Sequence, residues 1–223
     1  MGNSVITIAF LKHNLPALLQ GAGTSLLLAL LAASLGFSGG TALGIAQTQG
    51  SLLIRRLVAL FVTIVRGTPM LLQIFFLDLI VLPYLGIYVH PFVTAVLAIG
   101  INSSAYISQV VRSGILAVPH GQIEAAQTLG ISKPDLMRFI ILPQALRTIM
   151  PSLGNELVTL IKDSSLASLI GVMELYQRGT IIMSQTHQAL PVYIATGILY
   201  LIMTGCVSLI VNKTERSFNY AQD

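Results

Sequence analysis

Between Lys12 and Arg55 the chain has no aspartate, glutamate, lysine or arginine. An uncharged, largely apolar run of that length is suited to the hydrocarbon core of a bilayer, which is about 30 Å thick and takes about 20 helical residues to cross. The rest of the sequence repeats the pattern. Only 9% of the 223 residues are charged and 54% are hydrophobic, whereas soluble domains carry about a quarter charged residues. The expectation is an all-α, polytopic membrane protein, a single bundle with little else attached.

Five apolar segments are expected as spans, at approximately 20–46, 57–82, 91–116, 139–162 and 190–211, with a polar loop at 117–138. The first contains Gly36, Gly39, Gly40 and Gly44, and small residues at such spacing let helices approach closely in lipid. It is too long for a signal-peptide core and is expected to stay attached. The lone Cys206 excludes an intrachain disulfide.

The net charge of +4 reads as a topology signal, because the basic residues stand singly between apolar runs. That scatter does not suit nucleic acid, which is not expected as a partner. Arg55 and Arg56 follow the first span, Lys133, Arg138 and Arg147 lie around the polar loop, and Lys213 and Arg216 follow the last. The connection "DLIVLPYLGIYVHP" has no lysine or arginine, and the N-terminal segment has only Lys12. The expected orientation is N-terminus outside, C-terminus and polar loop in the cytoplasm.

That loop, "VPHGQIEAAQTLGISKPDLMRF", reads as two short helices parted by Gly130, with Pro119 before the first and Pro134 at the first helical position of the second. Glu124, Ala125, Ala126 and Leu129 are expected to make one compact face. A helix of this kind fits a groove on a soluble partner or rests on lipid headgroups, and spacing alone does not choose between them.

The same residues meet the pattern Glu-Ala-Ala, three residues, Gly, nine residues, Ile, one residue, Leu-Pro, through Glu124, Ala125, Ala126, Gly130, Ile140, Leu142 and Pro143. This resembles the EAA loop of bacterial ABC importer permeases. "RGTPMLLQ" at 66–73, "GILAVPHGQIEAA" at 114–126, "LPQALRTIMPSLGN" at 142–155 and "KDSSLASLIG" at 162–171 narrow the resemblance to permeases of the histidine, glutamine and arginine uptake type. The resemblance implies a five-helix, type I importer-like permease in the bacterial inner membrane. Gln122, Glu124, Ala125, Ala126, Leu129 and Gly130 would form a coupling helix for an ATPase dimer. A second permease subunit, identical or homologous, and an extracytoplasmic amino-acid-binding protein would complete the complex. ATP and Mg would be bound by the ATPase, since this chain has no G-x-x-x-x-G-K-[ST] phosphate loop. No catalytic residue and no cofactor is expected in the chain itself.

Polar residues inside spans are costly and therefore informative. Asn102, Tyr106, Gln109 and Ser113 fall on one helical stripe of the third span, expected to face the bundle interior or a water-filled cavity. On the fourth, Glu156, Thr159 and Asp163 form a stripe beside Ser152, Asn155, Thr159 and Lys162. Lys162 and Asp163 complement the carboxylate and ammonium of an amino-acid zwitterion, with Ser164 and Ser165 adding hydroxyls. Alternatively, they pair with Glu156 or Arg112. In the resembling family the Lys-Asp-Ser-Ser-Leu segment lines the translocation path, which implies a midplane site bordered by Asn102, Tyr106, Gln109, Lys162, Asp163 and Ser164. Many relatives carry Glu at Gln109, and the neutral amide weakens the case for a cationic substrate there.

His13, His90, His120 and His187 lack ligand spacing, so no metal site is expected. Arg66 is expected to be structural, at a turn where Pro69 begins or kinks a helix. Glu174, Gln177 and Arg178 would lie in an outward connection, meeting a binding protein or only solvent. Another small solute, or an ion-coupled carrier relaying protons through Glu156 and Asp163, are the competing readings.

Overall fold

The computed structural model describes residues 8–219, with side chains over 13–213, so Lys12 and Arg216 of the topology argument lie outside the described side chains. Every regular element among the described residues is helical. In chain order these are α1 (Ile8–Gln49), α2 (Leu52–Gly67), α3 (Met70–Phe76), a π-helical stretch Leu77–Val81, α4 (Leu82–Tyr84), α5 (Pro91–Leu116), α6 (His120–Thr128) and α7 (Lys133–Asp135). A second π-helical stretch, Leu136–Ile141, leads into α8 (Leu142–Asp163), followed by a 3-10 segment Ser164–Ile170, α9 (Leu175–Thr186) and α10 (Ala189–Asn219).

His13–Gln49, Pro91–Leu116 and Ala189–Lys213 are each long and apolar enough to cross a membrane. The expected second span is not one helix. Thr68 is extended (ψ 148°) and Pro69 caps α3, because a proline disfavours helical backbone in the residue before it. Leu52–Gly67 and Met70–Tyr84 are bent by 105° at this break, and only if the pair is one broken span does it make a fourth crossing. The segment expected as the fourth span contains α8, which carries Arg147, Glu156, Lys162 and Asp163 and is less apolar than the others.

The chain divides into two units. The first takes the chain up to Ser34, Pro69–Gly100 and Leu157–Val207; the second takes Leu35–Thr68, Ile101–Glu156 and the chain from Ser208. In the second unit the glycines of α1 meet α5 without space for a side chain. A Cβ on Gly36 would lie 2.5 Å from Ser103 Oγ, one on Gly40 2.6 Å from Ile107 Cβ, and one on Gly44 2.8 Å from the Ser108 carbonyl oxygen. Helix α2 turns Val58, Val62 and Val65 onto Ala105, with Leu43 and Phe61 closing the contact. Ser51 starts α2 by accepting the Ile54 N–H at 3.5 Å.

In the first unit Leu18, Leu28, Ile74, Leu160, Leu175 and Val192 are buried, and the 3-10 segment touches both α3 and α9. Gly171 ends that segment in the left-handed region at φ 88° with nothing near its missing Cβ. The cost of Gly171→Ala is therefore backbone strain alone, about 1–2 kcal/mol. A thermal scan of the purified protein should show a melting temperature lower by a few degrees.

Candidate functional site

The polar loop in the second unit is built by local rules. Pro119 stands at the N-cap of α6. The helix ends when Gly130 takes φ 74°: the Gly130 N–H donates to the Gln127 carbonyl at 3.0 Å and the Ile131 N–H to that of Ala126 at 3.1 Å. This is a Schellman closure, with glycine at the position that must be left-handed. Ser132 then opens the next helix, its Oγ accepting the Asp135 N–H at 3.3 Å and donating to Asp135 Oδ2 at 2.6 Å.

One side of α6 is anchored. Ala126 is 3% exposed and packs in the cluster of Ile115, Val118, Leu136, Ile141 and Ala145, with Ile123 and Ile131 alongside. Gln144 Nε2 donates to Gln122 Oε1 at 2.6 Å, tying the loop to α8. The opposite side is free of such packing: Glu124 and Ala125 are exposed, and Leu129 is 80% exposed. Glu124, Ala125, Ala126 and Leu129 therefore do not form one surface. Successive helical residues turn by about 100°, so Ala126 points well away from Glu124 and belongs to the core.

The stripe on α5 is covered only in part. Asn102 is buried and Gln109 half-buried, but Tyr106 and Ser113 are exposed in this chain. Gln109 Nε2 donates to Gln47 Oε1 at 2.8 Å and to Ser108 Oγ at 3.2 Å. Arg66 lies over the Tyr106 ring, 5.0 Å from its centroid, a cation–π contact. Ser113 Oγ donates to its own helix, to the Val110 carbonyl at 2.7 Å. The face of α5 that this chain buries is a different one, carrying Ser103, Ser104, Ile107, Ser108 and Val111. Ser103 Oγ on it donates to Glu156 Oε1 at 2.8 Å, a pairing the spacing did not disclose.

In the first unit Lys162 is exposed and Asp163 half-buried, whereas Ser164 is fully buried and donates to the Ile161 carbonyl at 2.7 Å. Ser165 donates to the Lys162 carbonyl at 2.7 Å. Of the four, Lys162 has the most accessible side chain and Ser164 serves the turn. Glu174 is a correction to both expectations for it, contact with a binding protein and solvation. It is 0% exposed and accepts hydrogen bonds from Ser25, Tyr200 and the N–H groups of Tyr176 and Gln177. Burial pushes its carboxyl above the ordinary range, and these hydrogen bonds pull the other way. Arg178 also turns inward, donating to Gln20 Oε1 at 3.0 Å. Asn102, Tyr106 and Gln109 belong to the second unit, and Lys162, Asp163 and Ser164 to the first. Among the described residues, no three His, Cys, Asp or Glu side chains come together as metal ligands.

Apolar helices with lipid-type outer faces, polar residues on α5 and α8, and an anchored surface helix define a multi-pass membrane transport component. Residues 40–220 match the family described as binding-protein-dependent transport system inner membrane component, and the chain belongs to that family. It is 36% identical over 203 residues to the glutamine transport system permease protein GlnP of Escherichia coli (strain K12), covering 91% of this chain and 93% of that protein. It is 35% identical over 206 residues to the probable amino-acid ABC transporter permease protein YckA of Bacillus subtilis (strain 168), covering 92% and 91%. Among solved structures it is similar to a crystal structure of an amino acid ABC transporter with histidines, with TM-score 0.88, 32% identity, and 96% and 99% of the two chains covered. The fold is that of an ABC importer permease, placed in the inner membrane, and as a permease subunit the chain is not itself catalytic.

Proposed function

We propose that this chain is the permease subunit of an ATP-driven importer of polar amino acids, and that α6 is where a separate ATPase docks. The observation that carries the reading is the geometry of α6: Ala126 is locked into the core while Glu124, Ala125 and Leu129 are left facing outward. A helix fixed on one side can pass a push from a partner to the core beneath it. A helix resting on headgroups needs no such anchor. The named functions of the relatives, glutamine and amino-acid transport, supply the substrate class.

On this reading a pair of permease chains, identical or homologous, meets an ATPase dimer that binds ATP and Mg, and an extracytoplasmic binding protein delivers substrate. The chain crosses five times, with α8 as the most polar crossing, and its loop charges put the N-terminus outside and the C-terminus in the cytoplasm. Lys162 and Asp163, on one unit, and Asn102, Tyr106 and Gln109, on the other, are the residues proposed for the path; Ser164 holds the turn that presents the first pair.

Proteoliposomes containing the whole complex, the binding protein outside and ATP accessible to the ATPase, test the reading with labelled glutamine, histidine and arginine. The expected result is ATP-dependent accumulation of at least one of them, indifferent to proton and sodium ionophores. Uptake driven by an ion gradient without ATP would replace the importer with an ion-coupled carrier. Within the same assay, Lys162→Ala and Asp163→Ala should each reduce uptake tenfold or more without loss of assembled complex. Unaltered uptake by both would remove them from the path.

A further inference from the structure

Glu174 is the most completely enclosed acidic or basic side chain among the described residues. Its Oε2 accepts from Ser25 Oγ on α1 at 3.1 Å, from the Tyr176 N–H at 2.9 Å and from the Tyr200 hydroxyl on α10 at 2.8 Å. Its Oε1 accepts the Gln177 N–H at 2.7 Å. All four donate, two from backbone N–H groups and two from hydroxyls, so both carboxyl oxygens serve as acceptors. None of the four is a cation. Ser25 Oγ in turn accepts the Leu175 N–H at 3.1 Å, so two side chains serve the first N–H groups of α9.

Capping alone does not require this. A serine or asparagine satisfies a helix N-terminus without the cost of enclosing a charge. What the longer carboxylate adds is reach to α1 and α10 together. Both neighbours come in close: a Cβ on Gly21 of α1 would lie 2.8 Å from Leu175 Cα, and one on Gly179 of α9 would lie 2.7 Å from Thr196 Oγ1 of α10. Tyr176 and Tyr193 stack with ring centroids 6.4 Å apart. Helix α9 is thus seated between α1 and α10. It also touches the 3-10 segment Ser164–Ile170, which begins directly after Lys162 and Asp163.

We infer that Glu174 is a positioning residue for transport: it locks α9 to α1 and α10 and so holds the turn that presents Lys162 and Asp163. This rests on the permease reading. Glu174→Gln keeps the size of the side chain but turns one acceptor into a donor, leaving at least one of the four donors unmatched. Tyr200→Phe removes a single donor, and Ser25→Ala removes one donor together with the acceptor of the Leu175 N–H.

The test is uptake per assembled complex in proteoliposomes, with melting temperature and half-saturation measured on the same preparations. Glu174→Gln should lower the maximal rate at least tenfold, leave the half-saturating concentration of loaded binding protein within about twofold, and lower the melting temperature. Tyr200→Phe should lower the rate less, and the double variant no further than Glu174→Gln alone, as coupled partners require. A lowered melting temperature with an unchanged rate per complex would make Glu174 a structural anchor only and overturn the inference. Should Glu174→Gln fail to assemble, Tyr200→Phe and Ser25→Ala decide by the same split between rate and half-saturation. Wild-type complex taking up none of the three amino acids would count against the permease reading instead, an outcome distinct from active wild type with unchanged variants.

Discussion

Leu129→Asp should leave the permease folded and cut uptake to below a tenth of wild type. Leu129 stands at the C-cap of α6, but its part in the closure is made by its backbone N–H; the side chain is 80% exposed, and at such a surface position a substitution changes stability by only about 0.5 kcal/mol. The melting temperature of the isolated permease should not move. If the leucine enters a groove on the ATPase, its loss is of the size of an interface hot spot, about 2–4 kcal/mol, or roughly 30- to 1,000-fold in affinity. Uptake should therefore fall below a tenth of wild type. ATPase activity stimulated by loaded binding protein should disappear with it, since both require the docked state. Unchanged uptake would mean that α6 is not a docking point.

Gly40→Leu gives the opposite signature, loss of the folded protein. The Cβ of any side chain there would sit 2.6 Å from Ile107 Cβ and 2.9 Å from the Ser104 carbonyl oxygen. Ile107 is 1% exposed and has nowhere to go, so α1 and α5 must separate. Overpacking of a core costs about 1–3 kcal/mol for small insertions, and an entire isobutyl group exceeds that range. The recovered amount of detergent-extracted protein should fall several-fold, with a lower melting temperature in what remains. Gly23→Ala is the control: nothing lies within 4 Å of its missing Cβ, and alanine favours the helix by about 1 kcal/mol.

The difference between Gly40 and Gly23 also marks what a sequence can disclose. The glycines of the first span were legible as close-packing positions because spacing on a helix is a local property, and α5 lies against Gly36, Gly40 and Gly44. The loop was legible for the same reason. Pro119 and Gly130 act through backbone geometry within a few residues, and α6 begins and ends where they require, while α7 begins at Lys133, one residue before Pro134, with Ser132 as its N-cap. Which way Ala126 points could have been read from the same rotation, and treating the Glu-Ala-Ala run as a single face overlooked it.

Long-range relations were less accessible. Tyr106 and Ser113 share a stripe with Asn102, but only neighbours in space decide which of them this chain covers, and the covered face runs through Ser103 and Ile107 instead. Glu174 was placed in an outward connection, open to a binding protein or to solvent, because connections between helices usually run over the surface. Its partners, Ser25 and Tyr200, are 149 and 26 residues away, and no local pattern announces them. A weak signal was available: Glu174 stands among Val172, Met173 and Leu175, apolar neighbours more typical of an enclosed segment than of a solvated loop.

The most direct measurement is mild detergent purification of the tagged chain from its native membrane, with mass spectrometry of every retained protein, for wild type and for Leu129→Asp. An ATPase and a second permease chain should be retained with wild type, and the ATPase alone should be lost with the variant. Retention of no ATPase by wild type, or equal retention by both, would contradict the docking of an ATPase at α6.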